Sequence, residues 1–218
     1  MGRPRNEELY STLKRNAYQQ FMRNGYAETT YQSVADASDS YRTIVQNYFP
    51  SKKDLLMTFF EDMMASVHKA VRDEGFHQEN DFDLFYCIGV SSFAFLLKDA
   101  SAKHFLQEFI ASRDLSEETL DFEVQWGMRL LEPPRSVAET QLEEDIMVAM
   151  GGFYTLLYKY LKQGRPFDLG THFGKIICVT MQDYGYSYEE AQTFVKTHCM
   201  TDDEIKLIVD KVSEDLGL

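Results

Sequence analysis

Many side chains in this sequence could do chemistry, but their spacing matches no catalytic pattern. It contains no GxSxG, HExxH, P-loop or GxGxxG. The histidines, at 68, 77, 104, 172 and 198, are scattered. His198 and Cys199 are adjacent, which is poor geometry for two ligands of one ion. The acidic runs at 143–145 and 201–204 read as solvated helix starts. The sequence therefore predicts no enzyme, catalytic residue, metal or cofactor. A different chemistry is legible between 38 and 49. Tyr41, Arg42, Thr43, Gln46 and Asn47 would put donors and acceptors on the outer side of a short helix, 41–48. Those groups suit phosphates and base edges. Ile44 or Val45, with Tyr48 and Phe49, would dock the other side. On its own, such a segment could equally be an ordinary surface helix.

The elements that must hold this segment are all helical. Ser/Thr residues followed three positions later by an acid or amide occur at Thr29/Gln32, Ser51/Asp54, Ser136/Glu139, Ser187/Glu190 and Thr201/Glu204. Each pair can cap a helix start reciprocally. Together with helical apolar periodicity they predict an all-α chain of roughly ten helices. The first runs over 7–24, with Leu9, Leu13, Ala17 and Phe21 as its apolar stripe and Gly25 as a left-handed C-terminal cap. Helices over 30–37, 41–48 and 51–74 follow. Further helical stretches cover 81–98, 101–113, 116–131, 136–163, 169–184, 188–199 and 202–216. Whether 101–131 is two helices or one bent helix stays open.

Composition narrows the setting. The chain has 218 residues, 44% of them hydrophobic, enough for a substantial core. Three cysteines, Cys87, Cys178 and Cys199, lack paired spacing, so a reduced cytoplasmic location is expected. The start lacks an apolar run, so no signal peptide is expected. The longest uncharged runs, 84–97 and 146–158, are too short to span a membrane, and no membrane partner is expected. The net charge of −13 opposes nucleic acid, yet it is unevenly spread. Residues 1–56 hold 8 Lys/Arg against 6 Asp/Glu, leaving 14 against 29 for the remainder. A basic tip on an acidic body can still be offered to a polyanion.

The stretches "GRPR", "FMRNGYAETT", "VADAS" and "NYFPSKKDLL" resemble, in order and spacing, the N-terminal domain of the TetR/AcrR-like family of bacterial one-component transcriptional regulators. The resemblance covers about residues 9–56. It implies a three-helix, helix-turn-helix DNA-binding domain at 1–56. A long helix would join this to a helical ligand-binding and dimerisation domain at 57–218. Tyr41, Arg42, Thr43 and Gln46 would face the DNA, with Asn47 and Tyr48 near its backbone. Thr29 and Thr30 would cap the second helix, one of them touching a phosphate, as would Lys52. Arg3 and Arg5 would form an arm in an adjacent groove, or be plain tail charge. The family's usual turn glycine is Asp39 here, which tolerates the left-handed conformation. Ser40 replaces a common valine and offers a cap. Tyr41 and Gln46 depart on the base-facing side and so bear on which operator is read.

The implied function is a ligand-responsive regulator, a repressor, acting as a homodimer on a palindromic double-stranded DNA operator. The alternative is a helical binding or adaptor protein whose helix-turn-helix no longer reads operators. Residues 136–163 and 169–184 are apolar on more than one face. Phe153, Leu157, Tyr160, Phe173, Ile177 and Met181 would form a two-fold four-helix interface, unless they serve an intramolecular core. Gly151 and Gly152 suggest close helix approach. Aromatic and methionine residues crowd the middle. Phe85, Phe93, Phe122, Trp126, Met147 and Met150 would line a cavity for a small apolar or aromatic effector, oriented by Gln125, Arg129 and Tyr154. The same residues could instead be filled core.

Overall fold

The computed structural model describes residues 6–76, 80–132 and 138–218. Among these the protein is all-α, with eleven helices. They are α1 (Glu7–Asn24), α2 (Tyr31–Ala37), α3 (Arg42–Tyr48), α4 (Lys52–Glu74), α5 (Asp81–Leu96) and α6 (Ala100–Ala111). Then follow α7 (Arg113–Leu131), α8 (Glu139–Lys162), α9 (Leu169–Asp183), α10 (Tyr188–Thr197) and α11 (Asp202–Leu216). The 101–131 stretch is thus two helices, with Ser112 ending α6 and starting α7.

Helix starts are set locally. Reciprocal caps form at Thr30/Ser33, Ser51/Asp54, Asn80/Asp83, Ser187/Glu190 and Thr201/Glu204. The cap expected at Thr29 therefore sits one residue later. The one expected at Ser136 lies outside the described residues, and α8 starts from Ala138 without a side-chain cap. Gly25 ends α1 at φ 88°, ψ 170°, an extended conformation with positive φ rather than the left-handed cap expected.

α5 is the centre of the molecule. All but Asp81 and Ala94 of its residues are buried, because it packs against α4, α6, α7, α9 and α11. At Gly89 the ring of Phe173 on α9 occupies the space a Cβ would need, so the α5–α9 contact depends on glycine. Among the described residues no helix is long and apolar enough to cross a membrane. α5 and α6 together have the apolar length but meet at 108°.

The hydrophobic core runs continuously across position 56. Phe21 of α1, Phe59 and Phe60 of α4, and Phe105 and Phe109 of α6 form one chain of ring contacts, with centroids 5.0–6.4 Å apart. Gln19 of α1 also donates to the Gly217 carbonyl at 2.7 Å, tying the C-terminus to the first helix.

Candidate functional site

α2 and α3 are each seven residues, too short to be stable alone, so neighbours must hold them. Asn16 of α1 donates to the Ala37 carbonyl and the Ser38 hydroxyl, each at 2.9 Å, clamping the end of α2. Gln20 donates to the Ser33 carbonyl at 2.9 Å. Tyr31 donates to the Phe49 carbonyl at 2.9 Å, tying the start of α2 to the end of α3. Tyr10 stacks on Phe49 at 5.4 Å. The turn between them puts Asp39 at φ 47°, the left-handed conformation that aspartate tolerates. Ser40 does not cap α3. Its N–H donates to the Ala35 carbonyl, and Tyr41 occupies the cap position without a side-chain bond.

α3 divides as its sequence implies. Val45 is fully buried and Phe49 nearly so. Tyr41 is 75% exposed, and Arg42, Thr43 and Asn47 are exposed as well. Gln46 and Ile44 are half-buried. Tyr48 is half-buried too, its hydroxyl accepting from the Asn6 N–H at 3.2 Å.

The expected roles of Thr29 and Lys52 are corrected. Thr29 is fully buried, its hydroxyl donating to the Gly25 carbonyl at 2.8 Å, so it supports the α1–α2 connection from inside. Thr30 alone caps α2 and is exposed. Lys52 also turns inward. Its ammonium donates to the carbonyls of Tyr26 at 2.9 Å and Thr29 at 3.2 Å, and lies 4.0 Å from the Tyr26 ring centroid. Burial lowers its pKa, while Glu108 and Glu28 oppose that shift. Glu108 of α6 completes the arrangement. Its Oε2 accepts from the N–H groups of Tyr26 at 2.6 Å and Ala27 at 3.3 Å. A carboxylate from the body and an ammonium from α4 thus clasp one backbone turn.

Three of the eight basic residues in the first 56, Lys52 among them, are engaged in such contacts. Lys14 pairs with Asp62, and Lys53 with Asp114 and Glu118. Arg3 and Arg5 lie outside the described residues. Arg15, Arg23 and Arg42 remain exposed, with no ion pair among the described residues.

The aromatic middle of the molecule is core. Phe85, Phe93, Trp126, Met150 and Phe173 close round a void of about 20 Å³, with Met64, Gly89, Ser92, Ile146 and Glu123. That is room for about one water molecule. Phe122 and Met147 are half-buried and pack against the core outside that void. Gln125 and Arg129 are exposed, and Gln125 donates to Glu143 at 2.8 Å, so neither orients a ligand there. Only Tyr154 of that trio turns inward. Its hydroxyl donates to Glu123 Oε2 at 2.6 Å. Burial pushes the Glu123 carboxyl up to about 8, against the opposing hydrogen bond from Tyr154. Sequence reasoning missed Glu123, although it lies three residues after Leu120 and four before Gly127 on the inward side of α7.

The expected subunit-interface residues are corrected too. Phe153, Leu157, Phe173, Ile177 and Met181 are at most 3% exposed within the single chain, because α8 packs on α6, α7 and α9, and α9 packs on α5. Tyr160 is half-buried against Phe167, at 5.4 Å. The outward side of α8 instead carries Glu144, Val148, Gly152, Thr155 and Lys159, with Val148 75% exposed.

A far larger opening lies elsewhere. It is a cleft of about 1080 Å³ between α5, α6, the α8–α9 connection and the α10–α11 connection. No family model matches the chain, and no curated protein matches it with significance.

Proposed function

We propose that the chain is a DNA-binding transcriptional regulator of the TetR/AcrR-like kind, reading DNA with α3 through a helix-turn-helix at residues 1–56. One observation carries the reading. A seven-residue helix is pinned by α1, α2 and Tyr10 so that Val45 is buried while Tyr41, Arg42, Thr43 and Asn47 all face outward. A rigid, short, polar-faced helix is what entry into a major groove requires. Residues 57–218 would then be the effector and dimerisation domain, and effector binding would favour a half-site spacing that releases operator DNA.

The test is a gel shift on the DNA upstream of the gene at ~100 mM salt, where nonspecific attraction is already weakened. Arg42→Ala should lower affinity about tenfold with an unchanged circular-dichroism melt. Absence of any sequence-preferring complex sinks the reading.

A palindromic operator needs two copies, and we place the contact on the outward faces of α8 and α9. Val148 and Val179 are exposed there, and Gly151 and Gly152 have nothing within 4 Å of an added Cβ. Gly152→Ala should therefore stabilise the isolated chain by about 0.5–1 kcal/mol. It should also weaken the dimer, because a partner helix would meet the new methyl. Sedimentation and thermal melts read both effects, and an unchanged dimer moves the interface elsewhere.

A second reading, a helical adaptor with a helix-turn-helix that no longer reads operators, draws on the charges. Lys14, Lys52 and Lys53 are engaged within the chain, so among the described basic residues of this segment only Arg15, Arg23 and Arg42 stay exposed to meet phosphates. It predicts that DNA affinity stays nonspecific and is unmoved by Arg42→Ala.

A further inference from the structure

The cleft of about 1080 Å³ is at the upper end of the size usual for small-molecule sites, roughly 300–1,000 Å³. Its floor is a single stripe of α5. Tyr86, Val90, Ala94 and Leu97 recur at helical spacing and all line it. That stripe is about 16 Å long at 1.5 Å per residue. Leu161, Phe167, Val195, Met200 and Ile205 add apolar wall.

Polar groups line it as well. Tyr86 is 1% exposed as a residue, and its hydroxyl, at the cleft wall, has no hydrogen-bond partner among the described residues. That oxygen is not sealed from solvent, so it can donate into the cleft, to water or to an acceptor on a ligand. Gly170 permits access, because a Cβ there would stand 2.9 Å from that oxygen. Burial raises the Tyr86 pKa well above the ordinary phenol range, with smaller contributions from Cys199, Cys87 and Asp168, so the hydroxyl stays a donor.

Lys196 lies on the segment that brings Cys199 beside Tyr86. The Cys199 thiol donates to the Lys196 carbonyl at 3.5 Å. Lys103, in the first turn of α6, also lines the cleft, as does Arg165. Neither Lys103 nor Lys196 has an ion pair among the described residues. The acids of the cleft are Asp168 and Asp202. Asp168 already accepts from the Thr171 N–H and hydroxyl, which hold its carboxyl below the usual range. Three cations with two unpaired ammoniums are conspicuous in a chain of net charge −13.

We infer that this cleft binds an amphipathic organic acid, its carboxylate accepting from Tyr86 and meeting Lys196 while its apolar chain lies along Val90, Ala94 and Leu97. This deepens the regulator reading and rests on it only for the consequence. α6 carries Lys103 and Gln107 into the cleft, and on the next residue carries Glu108 to the backbone of Tyr26 and Ala27. An acid seated in the cleft and the turn entering α2 are thereby joined by one helix.

Cys199 supplies a direct readout, since it is exposed in the cleft while Cys87 and Cys178 are buried. The experiment measures decanoate binding by calorimetry and Cys199 alkylation by iodoacetamide, with decanol and decyltrimethylammonium as comparison ligands. Decanoate should protect Cys199 at least fivefold and bind at least tenfold more tightly than either comparison ligand. Tyr86→Phe and Lys196→Glu should each weaken it about tenfold, and Gly170→Val should abolish protection. Equal binding of decyltrimethylammonium, or decanoate affinity unchanged in both Tyr86→Phe and Lys196→Glu, overturns the assignment. These assays contain no DNA. Protection without release of operator DNA keeps the site and overturns only its regulatory consequence, whereas no protection overturns the site whatever the gel shift reports.

Discussion

Gly25→Ala lowers the unfolding free energy by about 3–5 kcal/mol, the sum of a strained backbone and broken charge-assisted hydrogen bonds. Gly25 stands at φ 88°, ψ 170°, a region that essentially only glycine occupies. An added Cβ would also collide with Glu108 Oε2 and lie 3.2 Å from His104. Glu108 would then release the N–H groups of Tyr26 and Ala27. Lys52 would lose the attraction of Glu108, the main influence opposing its lowered pKa, while still desolvated. For a chain of this size the melting temperature should fall by about 10 °C or more. If the chain reads DNA as proposed, loss of DNA affinity should accompany it, because Thr29 hydrogen-bonds to the Gly25 carbonyl and leads into α2. A melt shifted by less than about 3 °C would mean that the turn relaxes freely and is no clasp.

The second large effect is on pH dependence. The Glu123 carboxyl, pushed up to about 8 from an ordinary value near 4.5, keeps its proton in the folded chain where the unfolded chain has lost it. Folding therefore takes up a proton between those two values, and stability falls as pH rises through that window. Below the ordinary value both states are protonated and no difference remains. Each tenfold difference in proton affinity is worth about 1.4 kcal/mol. Glu123 is half-buried as a residue, so solvent screens part of this, and a loss of about 2–3 kcal/mol between pH 5 and pH 8 is expected. Glu123→Gln keeps an acceptor for Tyr154 and removes the titration. Asp183 is also raised, by burial and then by Asp145, and titrates in the same direction. The difference between wild-type and Glu123→Gln denaturation curves isolates the Glu123 contribution. Parallel curves within about 0.5 kcal/mol would show a solvated carboxylate.

Much of this architecture is legible in the sequence because its causes are local. The bounds of α1 and α11, and the caps at Ser51, Ser187 and Thr201, depend on residues within about four positions of one another. Thr29 and Thr30 illustrate the limit. Either spacing can form a cap, and the choice fell to Thr30 because Thr29 is drawn inside to the Gly25 carbonyl. The same limit holds for apolar stretches. A helix apolar on several faces must be covered, but its sequence does not say by what. For Phe153, Leu157 and Ile177 the cover is this chain's own helices.

The sequence by itself determined an all-α chain, the order of its helices, and an α3 with one buried and one polar side. Periodicity and capping act between neighbours, and no distant partner can alter them cheaply. Only the tertiary structure decided where the lone charges and hydroxyls end. Lys52 meets carbonyls 23 and 26 positions away, Lys14 an aspartate 48 away, and Glu123 a tyrosine 31 away. It also closed the expected aromatic cavity and opened a cleft over α5 instead. Each buried polar group must find a partner, and which partner is near depends on how all the helices pack.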